Sequence, residues 1–544
     1  MNRNTFLGLD LSTQSLTALV LDLSDHRLFR NTLNFDEAYP SYRTSGGVRV
    51  GENPQVVCAD PKMWIQALDD LLLALCREGV TQQVAALSVS AQQHGSVYLN
   101  AKAAPRLKAL DPRKPLVEQT GGIFARALAP VWMDSSTREE CEEIARALGG
   151  EARLAEVTGS RATERFTGPQ IRKFWKTDPV AYRQTAHIAL ISSFVTSLLT
   201  GDLAPVDGGD GFGTHLADIR TGKWSKKALA ATGPGLRAKL PELMRGDGLV
   251  GKVSSYLVKR YGFHAETEVL VGTGDNPASL AGLGLVGDTD RKAVSLGTSD
   301  TYFGYLRRLG RERSAEGHVF GAADGKYMIL LCFKNGSLAR EAVKNRYGLS
   351  WEDFSRILLS TKPGNGGRIL LPYFLPEITP LVLKPEVHRF GGLLEEDKEG
   401  NVRAVAEAQI MAMGLHSAGF GARPQRILVT AGGSENRGLL QVIADVFNAE
   451  VESFEVKDSA ALGAALRAAK AFSAAKGEPR PWKELTDLFI RQKGREMVRP
   501  SKEAVALYRG EHGLLSVYDA CEKFALGLGG DPEATLRAFR ETHG

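Results

Sequence analysis

Polar, glycine-containing turns follow four apolar, strand-like segments of this 544-residue chain. The turns lie at Asp10, Gly272, Gly297 and Gly432. Turns of this kind hold phosphate groups in α/β proteins, because backbone N–H groups point into the turn and a following helix presents its positive end. One such turn alone is more often a plain structural turn. Four of them in one chain favour a nucleotide-binding site.

Two of these turns contain a carboxylate. Asp275 lies between a predicted strand and a predicted helix, with Asn276 expected as the N-cap and Pro277 as the first helical residue. Asp10 ends the first predicted strand. Two carboxylates near a triphosphate indicate a magnesium ion that is coordinated mostly by water. Taken singly, Asp275 is better explained as a cap of its helix, and Asp10 is explained equally well as a cap of its turn, so the residues alone leave both interpretations open.

Motifs of other nucleotide-binding folds are missing or misplaced. The sequence contains no G-x-x-x-x-G-K-[ST], which excludes a P-loop enzyme, and no catalytic H-R-D or D-F-G, which excludes a protein kinase. Residues 282–287 match G-x-G-x-x-G, but they follow a helical stretch instead of joining a strand to a helix. We interpret this match as close packing and a helix end, which disfavours a Rossmann dehydrogenase.

The composition is that of an ordinary globular protein, with 43% hydrophobic and 24% charged residues and a net charge of +5. No tract of Lys and Arg occurs, so nucleic acid is not an expected partner. Five widely spaced cysteines without C-x-x-C fit reduced thiols in a cytosolic protein. The N-terminus offers no signal peptide, and no apolar run has the length of a membrane span. We expect a cytoplasmic monomer or homodimer without membrane association.

The elements that position these turns alternate between strands and helices, which predicts an α/β fold. Two strand–turn–strand units, at residues 5–21 and 293–306, suggest an internal duplication. Apolar periodicity predicts helices at 61–76, 187–199, 437–447 and 459–471. Residues 101–122 are rich in Pro, Lys and Arg and are expected to form a surface loop. The expected domains are 1–262, 263–500 and a helical tail at 501–544.

Longer stretches resemble the carbohydrate kinases, the family that includes xylulokinase, gluconokinase, ribulokinase and glycerol kinase. Residues 6–14 and 294–299 resemble its two phosphate loops, and residues 432–436 resemble its adenosine loop. The similarity is closest to the xylulokinase branch, in its longer form known from animals. The stretches that carry it are 90–95, 131–137, 158–168, 273–282 and 332–337. The resemblance implies two actin-like (ribonuclease H-like) lobes around a deep cleft, with sugar on the first lobe and ATP mainly on the second.

The resemblance also implies a reaction, ATP-dependent phosphorylation of D-xylulose, and a role for each site residue. Asp275 would be the general base. The residues that it implies for sugar binding are His94, Arg165, Asp275 and Asn276. Those that it implies for ATP are Thr13, Thr298, Trp351, Gly432, Gly433 and Asn436. Those that it implies for magnesium are Asp10 and Asp275. Without the resemblance, His94 and Trp351 are typical of structural residues and Arg165 of a surface charge.

Two alternatives remain at this point. One is another sugar kinase of the same family, for L-ribulose or gluconate, since loop residues outside the motifs decide the substrate. The other is a non-catalytic actin-like nucleotide-binding protein or a chaperone ATPase. Such a protein needs no sugar-facing groups, so His94 and Arg165 argue against it, and ATP turnover that is independent of sugar would favour it.

Overall fold

The computed structural model describes residues 4–310, 316–453, 458–489 and 497–544. The chain forms two compact units. The first unit comprises Met1–Gly287, His318–Met328 and Val456–Arg491, and the second comprises Asp288–Gly317, Ile329–Glu455 and Gln492–Gly544. The predicted boundary after residue 262 lies inside the first unit, and the predicted tail belongs to the second. Within the described residues, no helix combines the length and the apolar character needed to cross a membrane.

The first unit is built on a seven-stranded mixed sheet. The strand order is Leu249–Lys252, Glu268–Leu270, Val84–Ala91, Thr5–Leu11, Ser15–Asp22 and Leu28–Asn34, and Thr273–Gly274 also pairs with Val84–Ala91. Among the three N-terminal strands each is antiparallel to its neighbour, whereas Val84–Ala91 runs parallel to the first strand. Val84–Ala91 is buried at every position, which explains why its sequence is a continuous run of small and apolar residues.

The sheet of the second unit has a similar centre. Its strands follow one another as Tyr327–Phe333, Asp300–Leu306, Arg291–Leu296, Arg426–Thr430 and Glu450–Ser453. In both units the first strand pairs in antiparallel orientation with the strand that follows it, and in parallel orientation with a strand from later in the chain.

Helices cover these sheets. Those of eight or more residues in the first unit are Pro61–Arg77, Arg138–Leu148, Glu151–Thr158, Thr167–Thr177, Ile191–Thr200, Asp275–Gly282, Ser459–Ala475 and Trp482–Phe489. Those in the second unit are Ser337–Arg346, Trp351–Ser360, Lys398–His416, Arg437–Phe447, Lys502–Arg509, Leu514–Ala525 and Pro532–His543. The helices predicted at 61–76 and 437–447 are thereby confirmed, and the one predicted at 459–471 continues to Ala475.

Two local predictions were wrong in part. The stretch 187–199, predicted as one helix, begins in the strand Thr185–Leu190, and its helix starts only at Ile191. The strand forms because its backbone pairs with Ser96–Asn100, a distant partner that apolar periodicity does not reveal. The loop predicted at 101–122 contains two short helices, Ala103–Lys108 and Leu116–Thr120.

Small residues allow the helix Ser459–Ala475 to pack closely against the helix Asp275–Gly282. A Cβ atom on Gly463 would lie 1.8 Å from the carbonyl oxygen of Ala278, and one on Gly282 would lie 1.9 Å from that of Ser459. Only glycine fits at either position without displacing backbone. The interpretation of Gly282 as close packing at a helix end is confirmed, and the packing fixes the helix that begins with Asp275.

Candidate active site

The carboxyl ends of three neighbouring strands of the first unit bring polar residues to one edge of its sheet. Asp10 is in register with Ser90 on the parallel strand Val84–Ala91, and Gly274, which precedes Asp275, is in register with Ala91. The carboxyl ends of parallel strands are where α/β sheets bind ligands. Asp10, Asp275 and the loop 92–95 therefore lie in the place expected for a substrate site.

Asp275 is held at the start of its helix, but not as the sequence predicted. The helix begins at Asp275 itself, with Gly274 as the N-cap, so Asn276 is not the cap and Pro277 is not the first helical residue. The Nδ2 atom of Asn276 donates instead to Oε1 of Gln93, at 2.8 Å, and to Oδ1 of Asp275, at 3.0 Å. The backbone N–H of Asn276 also donates to Oδ1 of Asp275, at 2.8 Å. These bonds fix the orientation of the carboxylate.

The two carboxylates have raised pKa values. Desolvation raises the pKa of Asp275 to about 6, against the opposing effect of its backbone hydrogen bonds. Desolvation also raises the pKa of Asp10 to about 7; its hydrogen bond from Ser90 opposes the rise, and the charge of Asp275 adds to it. The charge of Asp275 thus disfavours ionisation of Asp10, and a cation close to both would reverse this effect.

The carboxylates of Asp10 and Asp275 are too few to hold a metal ion alone but enough for magnesium. Within the described ranges, no group of three or more His, Cys, Asp or Glu side chains could hold a metal ion by itself. Magnesium is typically held by one or two carboxylates together with water and substrate phosphates. Asp10 and Asp275 fit that pattern, because they supply two oxygen ligands whose charge lacks compensation.

His94 lies in the loop that follows the strand Val84–Ala91, and its backbone is strained. Its backbone has a φ of 71°, and its ring stacks on Phe166 with centroids 4.2 Å apart. Nδ1 lies 2.8 Å from the carbonyl oxygen of Gly213, and since a carbonyl only accepts, Nδ1 carries the proton and Nε2 is the acceptor. Burial, followed by the charge of Arg165, lowers the pKa of His94 well below its ordinary value, so the ring is neutral.

Arg165 lies beside this ring and has an unused donor. Its Nε is buried and has no hydrogen-bond partner among the described residues. Its Nη2 lies 3.4 Å from Nε2 of His318. Burial and then the charge of Arg165 hold the pKa of His318 well below its ordinary value, so His318 is neutral and can accept this bond. A free donor on Arg165 suits a hydroxyl-rich ligand.

Gln93 connects these residues into one cluster. It accepts from Asn276 through Oε1 and donates from Nε2 to the carbonyl oxygen of Gly209, at 3.0 Å, while its side chain is almost fully buried. His94 is the next residue, and Phe166, which stacks on it, is next to Arg165. The four residues expected to bind sugar are therefore brought together in the structure of the first unit.

Sequence reasoning missed His318 and Phe320. Both come from the strand His318–Gly321, about 150 residues after Arg165 in the chain, and no motif surrounds them. The ring of Phe320 lies 6.0 Å from that of His94. A β-bridge between Ser160 and His318 is what brings this strand to the site. A contact of this kind leaves no signal in a single sequence.

Thr13 lies in the first unit, in the turn after the strand Thr5–Leu11. Its Oγ1 accepts a hydrogen bond from Nε1 of Trp132, at 2.9 Å. Trp132 belongs to the stretch 131–137, in which Asp134 accepts from Nε2 of Gln170, at 2.7 Å. The turn is thus tied to a second segment of the same unit.

The second unit has its own cavity, of about 700 Å³. Five of the six residues expected to bind ATP line it: Thr298, Trp351, Gly432, Gly433 and Asn436. Its other lining residues include Ser337, Arg340, Glu352, Ser355 and Glu435. Such a volume is in the range typical of small-molecule sites.

Local structure explains why these residues meet at the cavity. Trp351 is the first residue of a helix whose N-cap, Ser350, forms a capping box with Asp353. The indole of Trp351 is 44% exposed, so it is not a core residue. Asn436 caps the helix Arg437–Phe447 through a bond from Leu439 N–H, at 3.1 Å, which places the glycines of residues 432–433 at the helix start.

Comparison with known proteins agrees with this architecture. The N-terminal domain of the FGGY family of carbohydrate kinases matches residues 126–282, and the C-terminal domain matches residues 293–472. The xylulose kinase of Rattus norvegicus is 41% identical over 482 residues, covering 86% of this chain and 88% of that protein. Xylulose kinase 2 of Arabidopsis thaliana is 41% identical over 486 residues, covering 85% and 86%.

Solved structures show the same fold at lower identity. The xylulose kinase from Rhodospirillum rubrum has a TM-score of 0.78 at 19% identity and covers 96% of this chain and 99% of that chain. The glycerol kinase from Plasmodium falciparum with ADP has a TM-score of 0.74 at 18% identity and covers 92% and 94%. The protein is thus an α/β enzyme with two actin-like (ribonuclease H-like) domains that transfers phosphate from ATP to a sugar. It belongs to the FGGY family of carbohydrate kinases.

Proposed function

We propose that this kinase phosphorylates D-xylulose, with Mg-ATP as donor, to give D-xylulose 5-phosphate and ADP. The relatives named xylulose kinase, 41% identical over most of both chains, support the choice of sugar. The observation that carries the chemistry is the cluster of the first unit, in which Asp275 is bonded to Asn276 and linked through Gln93 to His94 and Arg165.

Asp275 is the general base. Its carboxylate accepts the proton of the sugar hydroxyl while that oxygen attacks the γ-phosphorus. A pKa of about 6 suits this task, because such a carboxylate is mostly ionised at neutral pH yet basic enough to take a proton. The bonds from Asn276 hold Oδ1, so Oδ2 is the oxygen that faces the hydroxyl.

The sugar is oriented by one hydrogen-bond acceptor and one hydrogen-bond donor. Nε2 of His94 accepts from one hydroxyl, and the unused Nε–H of Arg165 donates to another. The neutral ring of His318 holds Arg165 without adding a second positive charge. A site whose polar groups are matched to each hydroxyl rejects a misplaced hydroxyl, because its own donors or acceptors are then left unpaired.

ATP binds in the cavity of the second unit, with the adenine against Trp351 and the backbone of residues 432–433 close to the nucleoside. Thr298 and its turn face the phosphates, and Thr13 provides a further hydroxyl from the first unit. Asp10 and Asp275 would hold magnesium together with water and phosphate oxygens. Magnesium held there would supply positive charge against the negative charge of the transferred group.

The test is ADP release measured across D-xylulose, L-ribulose, gluconate and glycerol, with a sugar-free control. We expect D-xylulose to give the highest kcat/KM. His94→Asn should lower kcat/KM for D-xylulose on the order of 10- to 100-fold, because a buried acceptor is removed from the sugar site. His264→Gln, a substitution at an exposed histidine, is the matched control and should change nothing.

Two results would overturn the proposal. Equal activity on L-ribulose or glycerol contradicts the assigned sugar. ADP release that is as fast without sugar as with it contradicts a sugar kinase mechanism at this cluster and favours a nucleotide-binding protein of another kind.

A further inference from the structure

Arg340 connects the cavity of the second unit to a neighbouring turn. It lines the cavity, yet only 1% of the residue is exposed. Its Nη1 and Nη2 donate to the two carboxylate oxygens of Asp300, at 2.6 and 2.9 Å. Asp300 follows directly on the turn 297–299, which contains Thr298. The ion pair therefore ties the helix Ser337–Arg346 to the turn that resembles a phosphate loop.

Gln409 bonds to Arg340 beside this ion pair. Its Oε1 accepts from Nη1 of Arg340, at 2.8 Å, and its Nε2 donates to the carbonyl oxygens of Asn335 and Gly336, at 2.6 and 2.9 Å. The backbone N–H of Ser337 donates to the carbonyl oxygen of Gly297, at 2.8 Å. The turn is thus held at its first residue by a helix start and at its end by the ion pair.

The same contacts explain why Asn335 and Gly336 occur in the stretch 332–337. Nδ2 of Asn335 donates to Oε2 of Glu377 and to the carbonyl oxygen of Leu375, both at 2.9 Å. A Cβ atom on Gly336 would lie 2.7 Å from the backbone nitrogen of Asp300, so only glycine lets the helix start approach the turn this closely. Gly336 therefore lies against the turn, and Asn335 ties the network to Leu375 and Glu377.

We propose that Arg340, fixed by Asp300 and Gln409, is a positioning residue that holds the turn 297–299 in the conformation that receives nucleotide phosphates. This inference rests on the proposed nucleotide site. A turn binds phosphate through N–H groups only while these converge on one point, and small displacements of positioned groups are costly. A bidentate arginine–carboxylate pair fixes distance and orientation together, which a single hydrogen bond does not.

The inference is tested with the full chain and the variants Asp300→Asn, Arg340→Lys and Gln409→Leu. Calorimetry gives the Kd of ADP and the Kd of adenosine, which lacks phosphates. We expect ADP affinity to fall on the order of 10- to 100-fold in the first two variants, less in the third, and adenosine affinity to stay unchanged. Arg346→Lys, on the same helix but in an exposed ion pair with Glu395, is the matched control and should change neither value.

Asp300→Asn and Arg340→Lys disturb a buried ion pair and could prevent folding. Gln409→Leu leaves the charges of Arg340 and Asp300 paired, so it still tests the role of Arg340 if the other two variants do not fold. If adenosine and ADP lose affinity equally, Arg340 supports the whole cavity. If ADP affinity is unchanged, Arg340 does not act on the turn. Either result overturns the inference. Trp351→Ala separates the two proposals. If it changes neither affinity, the nucleotide site is elsewhere and the proposed function fails with the inference.

Discussion

Replacing Asp275, the proposed base, should separate activity from stability. Asp275→Asn keeps the shape of the side chain and an oxygen that accepts from Asn276, but an amide cannot take a proton from a sugar hydroxyl. Removing a general base costs on the order of 10²- to 10⁴-fold in rate. The variant should therefore lose nearly all sugar-dependent ADP release and still bind sugar and ATP.

The same substitution should stabilise the first unit. The folded protein raises the pKa of Asp275 from 3.8 to about 6, so keeping the carboxylate ionised costs roughly 3 kcal/mol of unfolding free energy at about 1.4 kcal/mol per pKa unit. A group with a raised acidic pKa binds protons more readily in the folded state, so its effect is to lower stability as the pH rises from about 4 to about 6. A neutral amide removes this cost.

The assay compares melting temperature and ADP release on one preparation, with a chelator present in the melting experiment. At pH 8 we expect Asp275→Asn to melt above the unsubstituted protein, and the difference should shrink as the pH falls towards 4. Asp531→Ala is the matched control, because Asp531 is a true N-cap followed by proline; it should lose about 1 kcal/mol and keep its turnover. A less stable but active Asp275 variant would show that Asp275 only supports its helix.

Three further substitutions test the site, the packing and the charges. Asp10→Asn should raise KM for Mg-ATP and leave sugar binding without nucleotide nearly unchanged in calorimetry; loss of sugar binding would contradict the metal assignment. Gly463→Ala should cost about 1–3 kcal/mol in thermal unfolding, because its Cβ would lie 1.8 Å from a carbonyl oxygen; a neutral result would contradict the close packing. Burial alone would lower the pKa of His416, but Glu316 and Glu522 raise it to about 10. His416→Gln should therefore be less stable than the parent below pH 6.5, with a melting difference that disappears towards pH 10; a constant difference would refute this.

The ends of apolar strands could be predicted from the sequence because their signal is local. An apolar run followed by a polar, glycine-containing turn marks such an end at Asp10 and at Gly432, and the structure has strands that end at Leu11 and at Thr430. The helix Arg437–Phe447 was predicted with its observed bounds, because its periodicity and its cap are both contained in one short segment.

Contacts between distant segments could not be predicted. Asn ranks above Gly as an N-cap in most helices, yet Gly274 is the cap, because the side chain of Asn276 is engaged by Gln93 from the loop that follows another strand. His318 lies next to Arg165 because its strand pairs with the segment at Ser160. In both cases the decisive partner is more than 100 residues away in the chain, where neither propensity nor spacing carries information.

The repeated topology also shows how two similar units can differ in chemistry. The last residue but one of the first strand is Asp10 in the first unit and Ser295 in the second. In the first unit burial raises the pKa of Asp10 and of Asp275, so a cation beside them would stabilise their ionised forms. In the second unit the acidic residue near the corresponding turn, Asp300, is already neutralised by Arg340. A carboxylate repels an anion and attracts a cation, so the uncharged strand end of the second unit suits an anionic group, whereas the acidic strand end of the first unit suits a cation.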